Sequence, residues 1–401
     1  MTKEVKNVPD LRFPGFENTW EKKKFFDILK SKGEGIKRGP FGGALKKEIF
    51  KNSGFAIYEQ KNAIYDNQHF RYFIDEEKYN EMIGFAVKQG DIIMSCSGTI
   101  GKLSLIPENA KIGIINQALI RFRTNNTILN TYFLIYMRSQ YMQKKILESN
   151  PGSAITNLIP VKELKLLNFP LPNINEQKKL GSFFCKLDRQ IELEEQKLAK
   201  LEEQKKGYMQ KLFSQKLRFK DENGNDYPEW EEKTIKDVYK VTRGYVLARK
   251  LMSDNPNSIN KYPVYSSQTS NNGLMGYYSD YLYQDAITWT TDGANAGSVS
   301  FRQGKFYCTN VCGVLLNELG NSNVCMAEML NNIAFKYVSK VGNPKLMNNV
   351  MAMIKLKFPC LEEQQVISNF LNVFSEVIDN QNKKVELLKK RKEGLLQKMF
   401  V

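Results

Sequence analysis

The side chains able to do covalent or metal chemistry are few. The chain holds one histidine, His69, too few imidazoles for a triad combined with a histidine-rich metal site. Of six cysteines only Cys308, Cys312 and Cys325 fall near one another. Zinc would need a fourth ligand, and His69 is distant in sequence, so no metal is expected. No Gly-x-x-x-x-Gly-Lys-Ser/Thr phosphate loop and no Gly-x-Gly-x-x-Gly dinucleotide turn occurs. The acidic residues show no spacing that suggests a nuclease, and no catalytic residue is expected. What remains is recognition chemistry, carried by polar loops. Lys37-Arg38-Gly39-Pro40-Phe41-Gly42 combines cations with glycines that let backbone approach a phosphate, and Lys46 follows closely. Ser97, Thr99, Asn116 and Gln117 offer hydroxyls for phosphate and amides suited to adenine. Further along, Ser266-Ser267-Gln268, Asn271-Asn272, Thr290-Thr291 and Asn295 form a second set. The tyrosines between Tyr262 and Tyr283 suit packing better than base stacking.

Composition points the same way. The 401 residues carry 59 Lys and Arg against 43 Asp and Glu, a net charge of +16. A polyanionic partner, nucleic acid first, fits that balance. At 42% hydrophobic and 25% charged, the chain can bury more than one core. Met1 to Phe16 has no apolar stretch of the signal-peptide kind, and no apolar run reaches the roughly 18 residues that span a bilayer. A cytoplasmic location with reduced thiols is the expectation, with no membrane association.

The elements that must position these loops are announced by a repeat. Shifting the sequence by 187 residues lays Glu176 to Phe213 on Glu363 to Phe400. Steps of four and three from Leu180 pass through Phe184, Leu187, Ile191, Leu198, Leu201, Tyr208 and Leu212, with Glu194 and Lys205 as polar exceptions. The second copy runs through Ile367, Leu371, Phe374, Ile378, Val385, Leu388, Leu395 and Met399, with Gln381 and Lys392 as the exceptions at the same places. An apolar period of 3.5 over more than four heptads predicts two coiled-coil helices. They are expected to pack on each other antiparallel along a seam of about 50 Å. Lys205 and Lys392 would then have to snorkel or pair.

The repeat extends beyond the helices. Leu11-Arg12-Phe13 precedes Trp20-Glu21, and Leu217-Arg218-Phe219 precedes Trp230-Glu231. Short β-branched and aromatic runs predict strands at Ala56–Tyr58, Asp91–Met94 and Ala118–Phe122, and again at Ala286–Thr290, Ser298–Phe301 and Val311–Leu316. Helices are expected over Ile128–Leu147 and Met326–Val338. The fold class is therefore α+β: two strand-rich domains alternating with two long helices, a pseudo-two-fold tandem repeat. The expected boundaries are a leader over 1–18, a first domain over 19–172, a helix over 173–215, a second domain over 216–360 and a second helix over 361–401.

These features carry a resemblance. Phe-Pro-Leu-Pro…Glu-Gln and Phe-Pro-Cys-Leu-Glu-Glu-Gln introduce the two helices, Gly39 to Leu45 reads Gly-Pro-Phe-Gly-Gly-Ala-Leu, and two divergent domains alternate with similar helices. Over essentially its whole length the chain resembles the DNA-specificity subunit of type I restriction-modification systems. The second helix start departs from the pattern: it is two residues shorter and has Cys360 where the first has a leucine.

The resemblance implies two target recognition domains held by an intramolecular antiparallel coiled coil. It implies double-stranded DNA as ligand, two methyltransferase subunits as direct partners, and restriction subunits joined through the complex. It also implies N6-adenine methylation in each half of a split target, with S-adenosylmethionine, ATP and magnesium held by partners and no cofactor in this chain. Asn150-Pro151, Asn255-Pro256 and Asn343-Pro344 lack the second proline of an adenine methyltransferase motif, so the flipped base is expected to enter a partner. Half-sites on one face of DNA lie about one turn, ~34 Å, apart, so the rod can act as a ruler. The alternatives are a specificity subunit of a type IIB-like or modification-only system, a fused enzyme, or a coiled-coil adaptor that binds no DNA.

Overall fold

A computed structural model describes residues 8–31, 33–41, 43–149, 156–158, 160–267 and 271–400. The chain divides into two compact units: residues 1–195 with 383–401, and residues 196–382. Both boundaries fall inside the long helices predicted from the repeat. The first, α6, spans Ile174–Phe213, and the second, α10, spans Leu361–Met399.

In the first unit, β1 (Glu21–Lys24) pairs with β11 (Asn168–Leu171), Glu21 opposite Leu171 and Lys23 opposite Phe169. Pro170 is tolerated there because the ribbon has only two strands and its other edge needs no donor. A four-stranded sheet has the order β2 (Ile36–Arg38), β8 (Leu119–Phe122), β5 (Ile92–Ser95), β6 (Leu103–Leu105). A smaller sheet joins β4 (Phe73–Ile74), β3 (Phe55–Tyr58) and β7 (Gly113–Ile115). Short helices α1 (Gln60–Tyr65) and α2 (Glu76–Glu81) follow β3 and β4. The helix expected over 128–147 is two, α3 (Asn130–Arg138) and α4 (Gln140–Ile146). Ser139 breaks it: its backbone is extended and its hydroxyl caps Met142 N–H, the behaviour that favours serine at helix starts. β9 (Leu147–Ser149) and β10 (Thr156–Leu158) form a ribbon, and α5 (Val161–Leu166) leads into β11. Phe25, Phe122, Phe133 and Phe169 are fully buried together, with Phe133 stacked on Phe169 at 5.6 Å.

The second unit builds the same ribbon from different neighbours. β12 (Glu231–Thr234) pairs with β19 (Lys355–Phe358), Glu231 opposite Phe358. α7 (Ile235–Val238) follows β12. One six-stranded sheet has the order β13 (Lys240–Arg243), β18 (Cys312–Leu316), β16 (Tyr283–Thr290), β17 (Val299–Cys308), β14 (Tyr262–Tyr265), β15 (Leu274–Tyr278). α8 (Val324–Ala334) covers one face, and α9 (Asn348–Ala352) precedes β19. Ile287, Trp289, Val299 and Leu315 point to that covered face with Cys325 and Leu330. Gly313 is required there, because a Cβ would stand 2.1 Å from the Trp289 ring.

Within each unit the long helices run antiparallel. In the first, Lys392 pairs with Asp188 and Lys384 with Glu194, so rising numbers on α6 meet falling numbers on α10. In the second, Tyr208 meets Phe370 and Phe374, and Lys205 Nζ donates to Ser375 Oγ at 2.9 Å. Leu187, Ile191, Leu212 and Val385 are buried, and Leu198, Leu201, Phe374, Ile378, Leu388 and Leu395 are half-buried. Tyr208 is the seam position left exposed. Both seam lysines find partners, which removes the cost of burying an uncompensated ammonium.

Each helix start is tied down by the same clamp. Arg12 donates from Nε and Nη2 to Glu176 at 2.7 and 2.8 Å, and Trp20 Nε1 donates to the same carboxylate at 3.1 Å. Arg218 and Trp230 repeat this on Glu363, at 3.1, 2.9 and 2.8 Å. The neighbouring glutamines act alike: Gln177 Nε2 donates to Pro172 O and Gln364 Nε2 to Pro359 O, each at 2.9 Å. The segments before the clamp close the helix ends, with Leu11 N–H on Lys398 O and Leu217 N–H on Lys211 O. Cys360, aligned with a leucine from sequence, takes the place of Asn173 instead. Gln177 N–H donates to Asn173 O and Gln364 N–H to Cys360 O, both at 3.0 Å. The helix, rather than the proline run before it, sets the correspondence.

Candidate nucleic-acid interface

In the first unit the predicted recognition residues come from three segments that β-pairing brings together. β2 lies antiparallel on β8 with Arg38 opposite Ile120, which carries the following residues to the turn before β8. Gly39 N–H donates to Leu119 O at 2.9 Å. A Cβ on Gly39 would stand 1.8 Å from Asn116 O, so only glycine fits that contact. Asn116 Oδ1 accepts Ala118 N–H at 3.0 Å and holds the turn, leaving Gln117 exposed. The loop after β5 joins them through Cys96, whose N–H donates to Ala118 O and whose thiol lies 3.8 Å from Gln117 O. Burial pushes that thiol up, and the nearby Arg38 guanidinium opposes the shift.

Ser97 and Thr99 are exposed at the same loop, which Ser95 Oγ holds by donating to Thr99 O at 2.6 Å. Arg38 is exposed and sits over the exposed Phe41 ring at 5.7 Å. Lys37 is half-buried and over the Phe85 ring. Lys46 is exposed one turn further on, next to Gly43. The result is a cationic and amide-bearing cluster in which Arg38, Thr99 and Gln117 are exposed while Gly39 and Asn116 shape the backbone.

In the second unit the predicted residues divide. Asn271 and Asn272 both have φ near +50°, which places a tight turn between β14 and β15, and Ser266 N–H donates to Gly273 O across it. Ser266, Asn272 and Asn295 line one cavity of about 140 Å³. Ser267 is half-buried beside it and Asn271 is exposed. Gln268 lies outside the described residues. Thr291 is 6% exposed, its hydroxyl within hydrogen-bonding distance of Val311 O at 3.0 Å and Asp292 at 2.7 Å, and its carbonyl accepts Leu346 N–H. Its groups are spent inside the fold.

Arg302 also lines that cavity and is not among the recognition residues expected from sequence. β17 continues to Cys308, so Arg302 stands mid-strand rather than just past the end of a short one. Alternation along Ser298, Val299, Ser300, Phe301 and Arg302 was the available signal, since period two puts the serines and the arginine on one face.

Among the described residues no group of three or more His, Cys, Asp or Glu is placed to hold a metal ion, and no helix is long and apolar enough to cross a membrane. Two divergent sheet domains, each clamped to a shared pair of helices and each presenting polar loops, define a modular recognition protein. The chain matches the type I restriction modification DNA specificity domain over residues 17–203 and 227–390, and it belongs to that family.

Relatives in Mycoplasma pneumoniae include a candidate type I specificity subunit 32% identical over 60% of this chain and 89% of its own length. Another is the specificity subunit of the type I restriction enzyme MpnII, 35% identical over 39% of this chain and 48% of its own. The matched stretch spans only about half the length of several such relatives, 53% in one further case. Among solved structures, the S subunit of a type I restriction-modification system from M. genitalium aligns with a TM-score of 0.62 at 16% identity, covering 98% of this chain and 99% of that one. A chain from a study of type I complex assembly aligns at 0.54 and 14% identity, covering 96% and 98%. At these identities the likeness is one of fold.

Proposed function

We propose that this chain is the reading subunit of a type I restriction-modification complex. Each unit reads one half of a split, asymmetric DNA target. The paired helices set the number of unread base pairs between the halves and dock two methyltransferase subunits, through which ATP-dependent restriction subunits join. Methylation falls on adenine N6 in each half. The chain itself performs no catalysis, and S-adenosylmethionine, ATP and magnesium belong to its partners.

One observation carries this reading above all: two unlike sheets are mounted on duplicate Arg–Glu–Trp clamps. A four-stranded sheet with a three-stranded companion stands on one, and a six-stranded sheet on the other. An identical mount with divergent readers is what two different half-sites require. The net charge of +16 supplies the general attraction for DNA. In the first unit Arg38, Lys37, Lys46, Thr99 and Gln117 make the contacts, and in the second Asn271, Ser267 and Asn295 do.

Exchanging residues 231–358 for the equivalent segment of a relative with a different target tests this in the assembled complex. The methylated motif should change in one half only and keep its spacer. A change in both halves from a folded chimera would contradict it.

A further inference from the structure

We propose that the cavity around Arg302 is a phosphate site that grips one backbone phosphate of bound DNA. Arg302 is 9% exposed, with its guanidinium carbon 3.9 Å from the centre of the Tyr265 ring and Nε donating to Thr288 Oγ1 at 3.1 Å. Among the described residues no carboxylate lies within ion-pair distance of it. Burial lowers its proton affinity, with the Tyr265 side chain acting in the opposite direction. The first unit handles buried arginines differently. Arg123 is bidentate on Asp91 at 2.7 and 2.8 Å, and Arg121 stands 3.9 Å from the same carboxylate.

A buried guanidinium that lacks an anion is costly to keep, and the cavity above it shows what would offset that cost. Strand alternation puts Thr288, Thr290, Ser298 and Ser300 on the face of Arg302, opposite the helix-covered core. The β14–β15 turn adds Asn272. Among the described residues the walls thus bring hydroxyls and the two amides of Asn272 and Asn295 around one cation, with no acid, in a space of about 140 Å³. That donor set fits a tetrahedral oxyanion, and planar guanidinium forks suit phosphate oxygens.

The source of the phosphate rests on the DNA-reading function; the site itself does not. The test therefore has two arms on the purified full-length chain, with Arg302→Met and Arg302→Lys. In the first, inorganic phosphate is compared with chloride at equal ionic strength. Phosphate should raise the melting temperature of the parent chain and leave Arg302→Met unmoved. Without phosphate, Arg302→Met should melt no lower than the parent, since it removes an uncompensated charge. A lower melting point together with no phosphate response in the parent would make Arg302 a structural residue and overturn the site.

In the second arm, random-sequence duplex is titrated over a salt series. Arg302→Met should bind about tenfold more weakly, with the log–log salt slope reduced by roughly 0.9, and Arg302→Lys should restore the slope. An unchanged slope, or a loss confined to one base pair of the target, would overturn a backbone contact. Absence of any salt-sensitive binding by the parent chain would instead count against DNA reading, independently of the phosphate arm.

Discussion

Replacing Glu363 by glutamine should loosen the second unit at its mount. The carboxylate is fully buried and accepts three hydrogen bonds, two from Arg218 and one from Trp230. A glutamine keeps one oxygen but turns an NH2 toward groups that can only donate. It also removes the buried counter-ion of Arg218, leaving only the exposed Glu229 carboxylate at 3.7 Å. Breaking a buried pair from one side costs about 3–5 kcal/mol. Arg218 also donates to Tyr227 O and Pro228 O and is 18% exposed, so the lower end, about 3 kcal/mol, applies here.

Hydrogen exchange read by mass spectrometry localises the effect. Peptides over 216–234 and 355–372 should exchange roughly 100-fold faster, while peptides of the first unit serve as the internal reference. The exposed neighbour Glu362→Gln should change little. Replacing the whole constellation with apolar groups, Arg218→Met, Trp230→Phe and Glu363→Leu together, should recover much of the loss, since no polar group is then left unpaired. Equal protection in Glu363→Gln and Glu362→Gln, or acceleration spread evenly over both units, would refute the clamp.

Other outcomes follow from the same structure. Inserting four residues near Leu198 in α6 and near Val385 in α10, about 6 Å of helix, should lengthen the unread spacer by one to two base pairs at ~3.4 Å each; methylation mapping of the variant reads this directly. Arg38→Ala should weaken DNA binding of the assembled complex, measured at two salt concentrations, because Arg38 is the exposed guanidinium of the first-unit cluster. Burial raises the Cys308, Cys312 and Cys325 thiols, Cys312 to about 11. Because the thiolate is the reactive form, these three should resist a thiol reagent at pH 8 until the chain is unfolded, while the exposed Cys185 reacts first.

The long helices were legible because a period of 3.5 persists through them, and only four seam positions interrupt it. Their starts were legible as a pattern but not as a mechanism. Glu176 and Arg12 are 164 residues apart, and no local periodicity announces a bond across that distance. The break at Ser139 is a capping event, which an apolar pattern running through both α3 and α4 conceals. In the first unit the polar loops gathered as their residue types suggested, since Gly39, Asn116 and the β5 loop meet through adjacent strands.

In the second unit loop chemistry was a weaker guide. Thr291 has a recognition-type side chain, yet its hydroxyl is engaged by Val311 O and the Asp292 carboxylate. Arg302 was not legible as a site residue because only the sheet order brings it to the cavity that Ser266 and Asn272 line.

The central claim, that this chain reads a split DNA target for a methyltransferase, is tested most directly by mapping N6-methyladenine across DNA from cells with the intact locus, with and without this gene. The account predicts loss of methylation from one bipartite, non-palindromic motif with a fixed spacer. An unchanged methylation map, with the partner methyltransferase shown to be expressed, would contradict it and favour a coiled-coil adaptor.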